Sequence, residues 1–438
     1  MRKILLALPL VLVLAGLGAI SLGGTDRAIT LTIYGDNLAL VTELRTLRLE
    51  PGETTVSLTG LPTGLILDSV YSEIPSGTLE VLEQELFYEP LSEATLLKKF
   101  IGQEIEVREG ANVYRGVLLS LKGGVIIQER TSEIQIIKEA TGFTLPGLPT
   151  LVTEPTLTWL VSTDLQGEQP VHLEYLTTGL SWEASYLGLL DEEEMALKSQ
   201  VSVSNSSGLT YKDVKLRLVA GQPHRVATTR GLYYAKEAMV AAAAPQFAEE
   251  AAFEYHLYTL ERPATLEDGR TKQLAFIAAP HVRIARHYIY EGQYRDGIWT
   301  EVEFLNSKLN GLGQPLPAGT IRFYQNGLFV GEDAISHTPV DEKVMLTVGR
   351  AFDLIGERTL VEQRRISERK YRDTLLITLK NHKEQDVTVK VIEHLQGDWT
   401  ILQADPEYKK ADAATVEFEV PVKAGGEAQV TYTVEYQY

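Results

Sequence analysis

Cysteine is absent from this sequence. Its absence excludes disulfides, thiolate metal sites, a cysteine nucleophile and a lipid-modified N-terminal cysteine. Outside a cell such a chain is held by core burial alone. Long apolar runs are missing beyond the N-terminus, so no later segment can cross a bilayer as a helix. The G-x-S-x-G elbow, the P-loop, the dinucleotide fingerprint and H-E-x-x-H are all missing. Cationic charge is short as well: 41 Lys and Arg stand against 59 Asp and Glu, for a net charge of −18. A surface of that sign repels nucleic acid and anionic lipid, and neither is expected as a partner.

What is present begins with the first two dozen residues. "MRKILLALPLVLVLAGLGAISLGG" has Arg2 and Lys3, an apolar run from Ile4 to Ile20, and small residues to Gly24. This order reads as a secretory signal peptide over residues 1–24. An uncleaved membrane anchor is the alternative, since about 17 to 25 apolar residues span a bilayer. Either way the chain is expected to be exported, to a periplasmic or extracellular location. Without disulfides, a bacterial envelope suits it better than a eukaryotic secretory route. No stable membrane domain is expected beyond this segment.

The rest of the chain alternates with period two. In "VTYTVEYQY", Val430, Tyr432, Val434, Tyr436 and Tyr438 point one way, and Thr431, Thr433, Glu435 and Gln437 the other. "ATVEFEVPV" places Val416, Phe418 and Val420 on one face, and Gly425 and Gly426 supply a turn between the two runs. The pair reads as a half-buried C-terminal hairpin. Two further stretches share a plan, strand–Asn–loop–strand: "QVSVSNSSGLTYKDVKLRL" around Asn205 and "LLITLKNHKEQDVTVKVIEHL" around Asn381. They suggest two sandwich units of related design, with asparagine bonding to the turning backbone.

Residues 97–140 carry about five short strands punctuated by Gly102, Gly110, Gly116, Gly123 and Gly124, the pattern of a small SH3-like barrel. The prolines Pro146, Pro149 and Pro155 mark an extended linker. The expected fold is mainly β and multi-domain, with little helix. It comprises an N-terminal β unit over 28–95, the barrel, a β-sandwich over 155–340 and an Ig-like β-sandwich over 345–438. An Ala- and Glu-rich stretch near 235–252, interrupted by Pro245, reads as a short helix or a mobile insertion.

Chemistry-bearing residues are scattered. His256 and Tyr258 lie in "FEYHLYTLERPATLEDGRTKQLAF", which reads as strand, Arg262-Pro263 break, Asp268-Gly269 turn and strand. A catalytic His256 needs a nucleophile or carboxylate in reach; the plain alternative is a surface or interface histidine. "HYIYEGQYRDGIW" brings Tyr288, Tyr290 and Tyr294 close to Trp299. Such aromatics either stack on a sugar or partner, or fill a core. His281 and His287 are six residues apart, a poor spacing for zinc, and the remaining histidines stand singly. "DEEE", Asp191 to Glu194, suits a solvated hairpin turn better than a calcium loop. No catalytic residue, cofactor site or metal set is assigned. The candidate interaction surface is Tyr288, Tyr290, Tyr294, Trp299, His256 and Tyr258.

Six ordered blocks carry a resemblance. They are "YLTTGLSWEASYLGLL", "VSVSNSSGLTYKDVKLRLVAG", "FEYHLYTLERPATLEDGRTKQLAF", "VGRAFDLIGERT", "LLITLKNHKEQDVTVKVIEHLQGDWTI" and "VEFEVPVKAGGEAQVTYTVEYQY". Together they resemble the bacterial domain of unknown function 4139, the family that includes mucoidy-inhibitor-like proteins. The likeness runs from about residue 28 to the C-terminus and is strongest from about 155. The chain lacks the long coiled coil of the mucoidy-inhibitor form. The resemblance implies an exported, mostly β protein without an established activity, and it transfers no catalytic residue.

Three functional readings follow. The first is a non-catalytic binding or structural module of the cell envelope, with an envelope protein or glycan as partner. The second is a hydrolase acting on envelope glycan or peptide, for which two carboxylates would face one cleft. The third is a surface or adhesion component that self-assembles through edge strands.

Overall fold

A computed structural model of the chain describes residues 28–35, 37–147, 154–221, 247–252 and 255–438. The expected signal segment and most of the Ala- and Glu-rich stretch lie outside these residues. The fold is mainly β, at 65% strand and 3% helix, as the period-two alternation requires. Among the described residues no helix is long and apolar enough to cross a membrane.

The first half is built on an eight-stranded sheet. Its order is Phe247–Ala252, Tyr255–Leu260, Tyr211–Ala220, Ile29–Tyr34, Leu38–Leu49, Gly167–Thr177 and Tyr71–Glu73, with Ala264–Leu266 also paired to Tyr211–Ala220. A five-stranded sheet runs Arg270–Arg283, Glu194–Asn205, Leu180–Leu190, Gly319–Gln325 and Leu328–Ile335. A three-stranded sheet runs Gly52–Leu58, Thr156–Thr163 and Leu79–Phe87. All three feed one core that includes Leu31, Trp159, Leu173, Val203, Leu218 and Phe323. The earliest strands and the segment after residue 155 therefore share both hydrogen bonds and core.

The end of the Ala- and Glu-rich stretch, Phe247–Ala252, is a strand paired antiparallel with Tyr255–Leu260. The "DEEE" turn joins the antiparallel strands Leu180–Leu190 and Glu194–Asn205, closed by a 2.8 Å bond from Asp191 N to Glu194 O. Residues 104–144 form a separate five-stranded sheet with its own small core of Ile105, Val107, Leu118 and Ile127. The one α-helix among the described residues, Glu93–Lys98, precedes it. Ser92 caps that helix by accepting from Thr95 N, while Thr95 Oγ1 accepts from Ser92 N.

The C-terminal part encloses a second core. Its six-stranded sheet runs Lys343–Arg350, Ile298–Leu305, Ala285–Tyr290, Val387–His394, Thr415–Val422 and Lys409–Lys410. Its four-stranded sheet runs Leu354–Arg365, Lys370–Asn381, Glu427–Gln437 and Asp398–Asp405. The expected C-terminal hairpin is corrected here. Thr415–Val422 pairs with Val387–His394, whereas Glu427–Gln437 pairs with Lys370–Asn381 in the opposite sheet. The turn at Gly425 carries the chain across the core. The inward faces of both strands follow the alternation, and Phe418 and Tyr432 meet in the middle at 5.7 Å between ring centroids.

The two halves repeat one plan. Ile29–Tyr34 pairs antiparallel with Leu38–Leu49 and parallel with Tyr211–Ala220, which pairs antiparallel with Tyr255–Leu260. Ala285–Tyr290 pairs antiparallel with Ile298–Leu305 and parallel with Val387–His394, which pairs antiparallel with Thr415–Val422. In the other layer, Leu180–Leu190, Glu194–Asn205 and Arg270–Arg283 follow one another as Leu354–Arg365, Lys370–Asn381 and Glu427–Gln437 do.

The two asparagines mark equivalent places. Asn205 Nδ2 donates to Leu209 O and Leu266 O, both at 2.9 Å, and its Oδ1 accepts from Ser207 N at 3.1 Å. Asn381 Nδ2 donates to Gln385 O at 2.9 Å and Val422 O at 3.2 Å, and its Oδ1 accepts from Lys383 N at 2.9 Å. Each side chain is buried and saturates backbone groups that the loop leaves open.

Candidate binding pocket

The second core changes character along its length. On Lys370–Asn381 the inward positions run Leu379, Ile377, Leu375 and then Asp373. On Val387–His394 they run Val389, Val391 and then Glu393. On Leu354–Arg365 they run Leu354, Gly356 and then Arg358. Strand alternation thus delivers three charged side chains to one end of the space between the sheets.

Glu393 is 0% exposed. Arg358 reaches it from the facing sheet, with Nε 3.0 Å from Oε1 and Nη2 3.0 Å from Oε2. The Tyr432 hydroxyl donates to the same carboxylate. Burial, and then the Glu393 charge, push the Tyr432 phenol well above its ordinary value. Burial and Glu393 also raise Tyr290, whose ring lies where a Cβ on Gly356 would be.

A cavity of about 150 Å³ opens beside this cluster, walled by Arg358, Asp373, His394, Tyr432, Tyr436 and Tyr438 among others. Asp373 Oδ2 accepts from the Tyr436 hydroxyl at 3.0 Å and from Gln363 Nε2 at 3.4 Å. Its Oδ1 is buried and has no partner. Burial and the bond to Asp373 push the Tyr436 phenol up to about 12. Tyr436 stacks on Tyr371 at 5.9 Å and meets Tyr438 edge-on at 5.6 Å. On the other wall, His394 Nε2 lies 2.6 Å from Glu291 Oε1, and Gln293 bonds to both the N–H and the C=O of His394.

The residues singled out from sequence divide around this site. Tyr294 is exposed and packs edge-on against His394 at 5.0 Å, at the pocket's margin. Tyr290 is in the core beneath it. Tyr288 is half-buried, with Lys383 Nζ 4.9 Å above its ring. Trp299 donates to Asp296 O at 3.0 Å and carries Arg295 over its ring at 5.5 Å. His256 and Tyr258 lie in the first half. His256 is half-buried and sits 2.9 Å from Glu249 Oε1. Tyr258 is buried, donates to Pro315 O at 3.0 Å and meets Phe276 edge-on at 4.9 Å. Tyr258 and Tyr290 therefore present no outer surface, because their strand phase points them into the two cores. Among the described residues no three metal-binding side chains converge.

Residues 171–438 match the family model described as Domain of unknown function (DUF4139). The chain belongs to the DUF4139 family. No curated protein matches it. The matched DUF4139 region contains every wall of the pocket and both Asn205 and Asn381. It begins inside the strand Gly167–Thr177, so the strands Ile29–Tyr34 and Leu38–Leu49, which complete the first sheet, precede the match. Arg358, Asp373 and Glu393 were not anticipated from sequence. The signal was there: each is a charge that adjoins two or three apolar or glycine positions in the inward phase of its strand, and buried polar positions are the informative ones.

Proposed function

We propose that this DUF4139 protein is an exported envelope protein that acts by binding, and that the cavity beside Arg358 and Glu393 is its ligand site. In this reading the sheet pairs are Ig-like sandwiches and residues 97–140 an SH3-like barrel, a scaffold that presents the pocket. The observation that carries the reading is Asp373, whose buried Oδ1 has no donor beside the cavity. An orphaned acceptor beside a cavity favours a bound molecule. The wall contains no serine, threonine or lysine to serve as nucleophile. The hydrolase reading needs two carboxylates free to act. Here Glu393 is held by Arg358 and Tyr432, which leaves Asp373 alone. Export draws its support from the basic, apolar and small-residue order of the first 24 residues.

The test is binding of envelope glycan fragments, exopolysaccharide and envelope peptides to the purified chain. The pocket is mapped by nuclear magnetic resonance on its tyrosines. A ligand that perturbs Tyr436 and Tyr438 supports the reading. Turnover of any of these polymers that disappears in Asp373→Asn overturns it in favour of hydrolysis.

A further inference from the structure

Several donors around the cavity are committed, and one buried acceptor has no donor. Arg358 uses Nε and Nη2 on Glu393, and the Tyr432 hydroxyl donates there too. The Tyr436 hydroxyl donates to Asp373 Oδ2, and the Tyr438 hydroxyl lies 3.4 Å from Gln396 Oε1. The Gln293 amide is held at both its atoms by the His394 backbone. Asp373 Oδ1 remains. A buried acceptor without a donor costs about 1–3 kcal/mol, and a donor on a bound molecule removes that cost.

Charge narrows the kind of donor. Glu393 is neutralised by Arg358 at salt-bridge distance, 3.0 Å. His394 Nε2 is hydrogen-bonded to Glu291 Oε1. Asp373 forms no ion pair among the described residues, so the pocket keeps one uncompensated carboxylate. Such a charge favours a cation over a neutral donor. The tyrosines add to the preference, since ring faces attract cations and Tyr436 is flanked by Tyr371 and Tyr438. A volume of about 150 Å³ limits the occupant to a small group, of roughly the size of benzene.

We propose that the pocket binds a primary ammonium group, at the end of a peptide side chain or on a small amine. Asp373 turns to bring its covered Oδ1 to the N–H, and the alkyl carbon packs on Tyr436 and Tyr438. The proposal rests on the cavity being the ligand site. A quaternary ammonium offers no N–H to Oδ1 and binds more weakly than a primary amine of similar bulk.

The full chain is titrated with n-butylammonium, glycinamide, tetramethylammonium and N-acetylglycinamide, with the ring resonances of Tyr436 and Tyr438 as readout. Lysine-containing envelope peptides, with the side-chain amine free or acetylated, separate a peptide source from a small free amine. The two primary amines are expected to shift both rings, and Asp373→Asn to weaken them at least tenfold with an unchanged melting temperature. Tyr436→Phe, which keeps the ring, retains binding. Equal affinity in Asp373→Asn, or no response to either primary amine, overturns the proposal. If uncharged glycan fragments move the same rings while amines do not, the ammonium inference fails and the pocket assignment stands. If no ligand of either kind moves them, both fail.

Discussion

Arg358 and Glu393 sit on opposite sheets and meet in a two-nitrogen grip across the second core, with Nε within 3.1 Å of both carboxylate oxygens. Desolvating two such charges is expensive, and their attraction only offsets it. Removing one partner is the damaging step. Arg358→Ala is expected to cost about 3–5 kcal/mol, because it strands a buried carboxylate. Replacing the whole set, in Arg358→Met with Glu393→Leu and Tyr432→Phe, should return most of that loss. Urea unfolding of the single and triple variants measures both.

High pH should unfold the chain through its tyrosines. Burial, as the main cause, holds Tyr175, Tyr186, Tyr211, Tyr258 and Tyr432 above the ordinary phenol value of 10.0. In the unfolded chain they ionise near pH 10, but in the folded chain only at higher pH. Above pH 10 the unfolded state therefore binds fewer protons, so stability is complete below that pH and declines as pH rises. Phenolate absorbance should show a set of tyrosines that ionise only together with loss of circular dichroism.

Asn205 and Asn381 are expected to be equally sensitive. Asn381→Ala removes the donors to Gln385 O and Val422 O and the acceptor for Lys383 N. Each stranded buried group costs on the order of 1–3 kcal/mol. Asn381→Asp keeps the acceptor but turns a buried carboxylate oxygen on the same carbonyls, so it should cost at least as much as alanine. The same series at Asn205 should give the same ranking in thermal melts.

Much of the architecture could be read from alternation, and the errors have a common cause. Period two reports which side of a strand is inward, and it placed Val430, Tyr432, Val434, Val416 and Phe418 correctly. It says nothing of which strand lies next door, so two runs joined by a short turn read as neighbours although they face each other across the core. The pocket was hidden for the same reason. Asp373, Arg358 and Glu393 lie on three separate strands, in two sheets, and only the pairing brings them together. Local aromatic density around Tyr294 pointed near the site, through its contact with His394.

Gly331 offers a test of how the sheets abut. A Cβ at this position would overlap the carbonyl oxygen of Val348, on a strand of the neighbouring six-stranded sheet. Gly331→Ala is expected to force the two strands apart and lower stability by about 1–3 kcal/mol. Gly327, which faces open space but has φ +78, should lose less on the same change. Calorimetry of both variants decides the order.

The strand Ile298–Leu305 contributes Ile298 to the second core and Val302 and Phe304 to the first. One stretch of backbone is thus gripped at both ends by different interiors. Pivoting one half against the other would bend that stretch or break its ladder, so the described body is stiff at its waist. Pulled from its ends, such a chain resists until the shared ladder gives way.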